Sequence, residues 1–298
     1  MIKRHTILGS FVALSLAAAA LPLNAASLTT PSNNSFWAAV PNIDLDPVAD
    51  LQTGQHDADL VGVVGDPGFF TGWDGTNMYF RIREGAASHT GPSYSGLTWI
   101  GIDANLDGAL DLFIGINNQG SNSSITFNKT GTGANTSPNT TSIVSAAAPY
   151  IIAESSSNFD YEFVNSTIDP TGSSAPGYDL NSPADSTDVY LTILVPFFGA
   201  SGTGTLQGAL AGLASLTVDQ NTSLRYVLGT STQQNSLNQD IGGTSAGGSS
   251  TSTYSQLGAF SPTITPTGTV VPEPSTVPML LSGLGLCLAG WRFRRRKS

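Results

Sequence analysis

The stretch LTWIGIDANLDGALDLFIGIN (residues 97–117) decides the reading of the fold. Two short apolar runs, WIGI and LFIGI, flank a loop made of Asp, Asn and Gly. Each run is too short for a helix, rich in β-branched and aromatic residues, and bounded by turn formers, so the pair reads as two strands joined by a tight connection. Upstream, PGFFTGWDGTNMYFRIREG (67–85) repeats the pattern. Phe69 to Trp73 is one strand, Asp74-Gly75 the turn, and Asn77 to Arg83 the other. Met78, Phe80 and Ile82 share one face of it, with Tyr79, Arg81 and Arg83 on the opposite, outer face. Downstream, VYLTILV (189–195) is a continuous apolar run that predicts a buried strand, and SLRYVLGTS (223–231) a further one. SIVSAAAPYIIAES and NFDYEFVN read as weaker strands. The expectation is an all-β chain, an antiparallel β-sandwich of jelly-roll-like type.

One segment departs from this period. Leu206, Leu210 and Leu213 recur at helical spacing within Thr205 to Asp219, which predicts a short helix weakened by its glycines. The polar, Gly-rich stretch 118–142 reads as a long exposed loop or flexible hairpin, and 242–256 as a Gly/Ser linker. Residues 261–270 read as a Pro-stiffened stalk. The sandwich ectodomain is therefore placed at 27–260, with its ordered body at 37–241.

Charge narrows the function. Between residues 26 and 271 four basic residues face 20 acidic ones, a formal charge of −16. Such a surface repels nucleic acid and attracts cations. Cys287 is the chain's one cysteine, so no disulfide staples the body.

The 97–117 loop carries the clearest chemistry. Asp103, Asn105, Asp107 and Asp111 fall at relative positions 1, 3, 5 and 9, with Gly108 at position 6 and the Ala109 carbonyl at position 7. Oxygens on alternate residues can wrap one hard cation, and the glycine permits the sharp turn. The motif resembles the Dx[DN]xDGxxD calcium loop of integrin-type FG-GAP and related β-proteins, which joins two strands. Position 12 is Ile114 where an EF-hand needs a bidentate Glu, so a helix-loop-helix sensor is not expected. The expected cofactor is a structural Ca2+; the competing reading is a hairpin loop that merely uses good turn residues.

Other constellations are weaker. Asp44, Asp46, Asp50, Asp57 and Asp59 with His56 form an irregular acidic stretch, read as a solvated loop or a second cation site. His56 and His89 lack zinc spacing. Glu84, Glu154 and Glu162 are candidate partners of a glycosidase carboxylate pair. Arg81 and Arg83 beside Tyr79 would stack on a sugar or pair with carboxylates. No catalytic residue is assigned.

Both chain ends look like addresses. Lys3 and Arg4, an apolar stretch from Ile7 to Leu21 and the small residues Ala25 and Ala26 have the layout of a secretory signal peptide (1–26), with a membrane anchor as the alternative. At the other end, Val271, Pro272, Glu273 and Pro274 open a box (271–276). It is followed by an apolar segment (277–291) and a basic end (292–298) with Arg292, Arg294, Arg295, Arg296 and Lys297. About 16 apolar residues give roughly 24 Å of helix, the short limit for a bilayer. The basic cluster would stay cytoplasmic.

This ending resembles the PEP-CTERM sorting signal of Gram-negative bacteria. The resemblance implies processing near Pro-Glu-Pro by an exosortase, an integral membrane enzyme with a cysteine nucleophile. It also implies passage through the secretion machinery, a transient inner-membrane stage and delivery to the cell surface or an extracellular polysaccharide matrix; an ordinary C-terminal anchor is the alternative. Residues 73–84, 99–116 and 224–243, taken in order, resemble an uncharacterised group of bacterial exported β-sandwich proteins. Two functions stay open: a non-enzymatic surface or matrix protein, and a carbohydrate-binding module or glycan-active enzyme on a sandwich scaffold.

Overall fold

A computed structural model describes residues 28–46, 58–85, 96–117, 123–164 and 188–268. Eleven strands and two short α-helices follow one another along these segments. They are β1 (Trp37–Ala39), β2 (Phe69–Trp73), β3 (Asn77–Glu84), β4 (Leu97–Asp103), β5 (Leu112–Asn117), β6 (Ser124–Thr130), β7 (Ile143–Val144), β8 (Ile151–Ala153), β9 (Phe159–Phe163), β10 (Val189–Pro196), α1 (Leu206–Ala209), β11 (Arg225–Ser231) and α2 (Tyr254–Leu257). One sheet has the order β1-β2-β3-β10-β9. The other runs β11-β4-β5-β6-β7, with β8 pairing β6 beside β7. All strand pairs are antiparallel, and the two sheets make the expected sandwich.

The period-2 pattern explains the packing. Phe80 and Ile82 of β3, and Leu191, Ile193 and Val195 of β10, point inward from the first sheet. They meet Ile100 and Ile102 of β4, Ile114 and Ile116 of β5, Ile125 and Phe127 of β6, and Tyr226 of β11. The Phe80 and Tyr226 rings touch across the layers at 5.9 Å between centroids, edge to face.

Neither sheet shows its second face fully to water. Leu28 and Trp37 cover Phe70, Tyr79 and Tyr190 on the first sheet. On the second, Leu237, Ile241, Tyr254 and Phe260 cover Leu97, Trp99, Phe113 and Val227. Double coverage accounts for β3 and β4, which are buried on almost every residue. The outer edge of β11 is occupied as well. Gly242 N–H donates to Leu228 O at 3.0 Å, Ser261 N–H to Tyr226 O at 2.9 Å, and Leu224 and Ile264 exchange two bonds of 2.9 Å. An edge so occupied is closed to pairing with another chain.

Three sequence expectations change here. The stretch 118–142 is not a continuous loop: Ser124–Thr130 is a strand, with Ile125 and Phe127 in the core. Two apolar side chains on alternate residues suffice once both neighbours are strands. Residues 242–268 are packed rather than linker and stalk: Tyr254 is fully buried and its hydroxyl meets Thr141 Oγ1 at 2.6 Å. The short helix forms only over Leu206–Ala209, capped by the Thr205 hydroxyl, and continues as a π-turn over Leu210–Ala214.

Candidate cation loop and the sorting tail

β4 ends at Asp103 and β5 starts at Leu112, so all five predicted oxygen donors, Asp103, Asn105, Asp107, the Ala109 carbonyl and Asp111, lie in or beside one connection. Asp111 N–H donates to Ile102 O at 2.7 Å and closes the hairpin beneath it. The turn needs two left-handed residues, Leu106 (φ 62°) and Gly108 (φ 91°); the second is the glycine the motif requires.

Asp103 is fully buried. Its Oδ2 accepts from Gly108 N–H at 3.1 Å and pairs with Arg225 Nη2 at 2.5 Å. Its Oδ1 is buried with no hydrogen-bond partner. Asn105 Oδ1 accepts from Asp107 N–H at 2.9 Å, and Asp107 Oδ1 from Ala109 N–H at 2.9 Å. Asp111 Oδ2 accepts from Ala104 N–H at 2.8 Å and Asn105 N–H at 3.3 Å. Asn105 Nδ2 bridges Asp107 Oδ2 at 3.1 Å and Asp111 Oδ1 at 3.4 Å. Burial raises the Asp111 carboxyl above the usual range. The two N–H donors lower it, and the nearby Asp103 and Asp107 charges raise it again.

The donor set suits a hard cation, since every side chain in it offers oxygen. The Asn105 amide places its partial positive charge between two carboxylates, where a cation would do the same work. Among the described residues no three His, Cys, Asp or Glu side chains already converge at metal-ligating range. A bound ion would therefore draw Asp103, Asp107 and Asp111 together, with the Asn105 amide turned to present its oxygen.

The remaining candidates scatter. Burial raises the half-buried Asp44 carboxyl, while Asp46 Oδ1 accepts from Gly243 N–H at 2.7 Å and so ties two distant segments together. Asp59 is buried, and Asp50, His56, Asp57 and His89 lie outside the described residues. The register pairs Glu84 with Val189 and Glu162 with Tyr190, consecutive positions on β10. Those two carboxylates consequently leave opposite faces of the sheet and cannot flank one glycosidic bond. Glu154 follows β8 in the other sheet, where burial pushes its carboxyl up to about 7.

Arg81 and Arg83 lie on the outer face as expected, but that face is not open to solvent: both are buried, Arg81 beneath the N-terminal segment and Arg83 against a carboxylate. Arg81 donates to Leu28 O (2.6 Å), Thr30 O (2.7 Å), Ser32 Oγ (3.0 Å) and Thr192 Oγ1 (3.0 Å). Its guanidinium lies 4.2 Å from the Trp37 ring centroid. Arg83 Nη2 and Nε meet Asp188 Oδ2 at 2.7 and 2.8 Å. These arginines pin the first strands to the sheet and are unavailable to a sugar. Alternation put them on the second face, but nothing local signals that residues 28–37 cover it at Arg81.

Comparison with known proteins bears on the tail. Residues 270–297 match the family model described as the PEP-CTERM protein-sorting motif. The chain carries a PEP-CTERM sorting signal. It is thus an exported, exosortase-sorted protein of the Gram-negative cell-surface type. The match spans Val271 to Pro274 and the basic residues Arg292 to Lys297. No curated protein matches the chain, and no solved structure does. The PEP-CTERM signal, the apolar segment 277–291 and residues 1–26, expected as a signal peptide, lie outside the described residues. Among the described residues no helix is long and apolar enough to cross a membrane.

Proposed function

We propose that this chain is a non-enzymatic surface or matrix protein. It enters the secretion machinery through residues 1–26, is held at the inner membrane by residues 277–291, and is released by exosortase at Pro272-Glu273-Pro274. Its body serves as a robust β-sandwich whose Asp103–Asp111 loop binds one structural Ca2+ through Asp103, Asn105, Asp107, the Ala109 carbonyl and Asp111. When bound, the ion supplies fixed positive charge that holds the β4–β5 connection closed.

The observation that carries the calcium reading is the state of the loop's charges. Asp103 Oδ1 is buried and lacks a donor, while one neutral amide bridges Asp107 and Asp111. A plain turn needs neither three carboxylates nor a buried one. Three carboxylates suggest an affinity on the order of 10⁻⁴ to 10⁻³ M, in the range of extracellular modules. Thermal unfolding of the exported chain in millimolar Ca2+ and in chelator tests it. The midpoint rises with Ca2+ and not with Mg2+; equal midpoints in Ca2+ and chelator overturn the reading. For the tail, intact mass of protein recovered from the cell surface lacks residues beyond the Pro-Glu-Pro box; a full-length mass counts against processing.

A further inference from the structure

The covering layer on the second sheet leaves a gap at the Leu97 end of β4. There the outer face opens into a cleft of about 530 Å³, within the range of small-molecule sites. Its chemistry is uniform. Asn117, Ser124, Thr126, Asn128 and Gln234 line it together with Trp99, beside the apolar Leu97 and Ile151. Among the described residues its lining holds no carboxylate, imidazole, ammonium or guanidinium.

The floor is built by register. Trp99, Gly115, Thr126 and Ile151 lie in one row across β4, β5, β6 and β8. Leu97, Asn117, Ser124 and Ala153 form the next row. Gly115 makes the first row possible. A Cβ there would come within 2.4 Å of Trp99 Cζ3 and 2.7 Å of Thr126 Oγ1. The indole therefore lies flat over the strand, against a hydroxyl. Thr126 Oγ1 accepts from Asn128 Nδ2 at 2.7 Å and donates to Gly115 O at 3.3 Å, which fixes its direction. Trp99 is 2 % exposed, and its indole N–H has no acceptor.

We infer that this cleft binds a neutral saccharide segment. Hydroxyls and primary amides both donate and accept, which matches the hydroxyls of a sugar ring. The half-exposed Ile151 supplies apolar surface for the ring's C–H face, with the buried Leu97 and Trp99 packed beneath the cleft as its apolar floor. Without ionisable side chains the cleft has no counter-charge for a uronate or sulfate, and the strongly acidic body repels both. A peptide added as a strand needs an open edge, but at Thr126 β6 is paired on both sides, to Gly115 and to Ile151. The lining lacks a general acid or base, so the cleft holds its ligand without cleaving it. The inference is independent of the calcium loop, which lies at the far end of β4.

The test is titration calorimetry on the full chain in a sugar-free detergent, with cellohexaose, xylohexaose and mannohexaose as neutral probes. An oligogalacturonate and a neutral hexapeptide serve as comparators. At least one neutral hexasaccharide binds saturably. Thr126→Val and, at the exposed rim, Gln234→Ala each weaken it by about tenfold at unchanged melting midpoint. Gly115→Ala abolishes it. No saturable binding to any neutral probe, preference for the uronate or the peptide, or binding indifferent to Thr126→Val and Gln234→Ala overturns the inference.

Discussion

Arg225 and Asp103 are register partners across β11 and β4, and their side chains also meet, Nη2 to Oδ2, at 2.5 Å. Asp103 is fully buried while Arg225 keeps 18 % of its side chain in water. The Arg225 guanidinium thus goes to the carboxylate least able to reach solvent, and Asp107 and Asp111 are left bridged by the Asn105 amide. Arg225→Met removes that charge and increases the loop's dependence on metal. In chelator the variant loses about 2–4 kcal/mol, as expected when one partner of a largely buried pair is removed. Its midpoint then rises more with Ca2+ than the parent's does. Equal Ca2+-induced shifts in both proteins would show that Arg225 and the ion do not share Asp103.

Arg83 and Asp188 form the second internal pair, and both side chains are fully buried. Removing one partner strands the other charge, so Asp188→Ala costs about 3–5 kcal/mol, read as a shift in urea midpoint. The double replacement Arg83→Met with Asp188→Leu costs less than the single one. A single variant within about 1 kcal/mol of the parent would mean the pair is solvated in solution.

Tyr226 sits between the sheets against Phe69 and Phe80, and its hydroxyl has no hydrogen-bond partner. Burial raises its ionisation far above the ordinary tyrosine value. An unsatisfied buried hydroxyl is a cost, so Tyr226→Phe stabilises the protein by about 1 kcal/mol. Thermal unfolding of the two proteins side by side checks the sign, and a clear loss of stability would reveal a partner for that oxygen.

Glu154 gives the fold a pH signature. Its carboxyl is raised by burial from 4.5 to about 7. The native state therefore binds the proton more tightly than the unfolded chain. This contribution to stability is present at low pH, falls as pH rises from about 4.5 to about 7, and is flat above. Glu154→Gln flattens the stability curve over that window relative to the parent. Parallel curves would mean that Glu154 titrates normally.

The strand hairpins were legible because their signals are local. Asp74-Gly75 needs only its neighbours: Asp74 Oδ1 accepts from Thr76 and Asn77 N–H, its Oδ2 from the Tyr79 hydroxyl, and Gly75 adopts φ 97°. The Asp103–Asp111 loop was legible for the same reason. What covers the two outer faces was not. Leu28 and Tyr254 are isolated apolar residues in Ser/Thr/Gly-rich surroundings, and no periodicity marks their burial. Arg81 and Arg83 lie on the face that alternation gives them, and Arg83 pairs with a carboxylate; it is the covering of that face that the sequence does not signal. The neutral cleft was equally invisible. It depends on Gly115 lying opposite Trp99 and Thr126, a juxtaposition that only strand register creates.

The bond pair between Leu224 and Ile264 has a mechanical consequence. Seven residues lie between Ile264 and Pro272, and even fully drawn out the eight Cα steps reach no more than about 28 Å. In the proposed inner-membrane stage such a tether would hold the body on a short leash that leaves from the Arg225–Asp103 end of its strands. That end, with the acidic loop, would then be the membrane-proximal pole. The Leu97–Ser231 end of the same strands, where the neutral cleft opens, would be the distal pole until the proposed processing releases the tail.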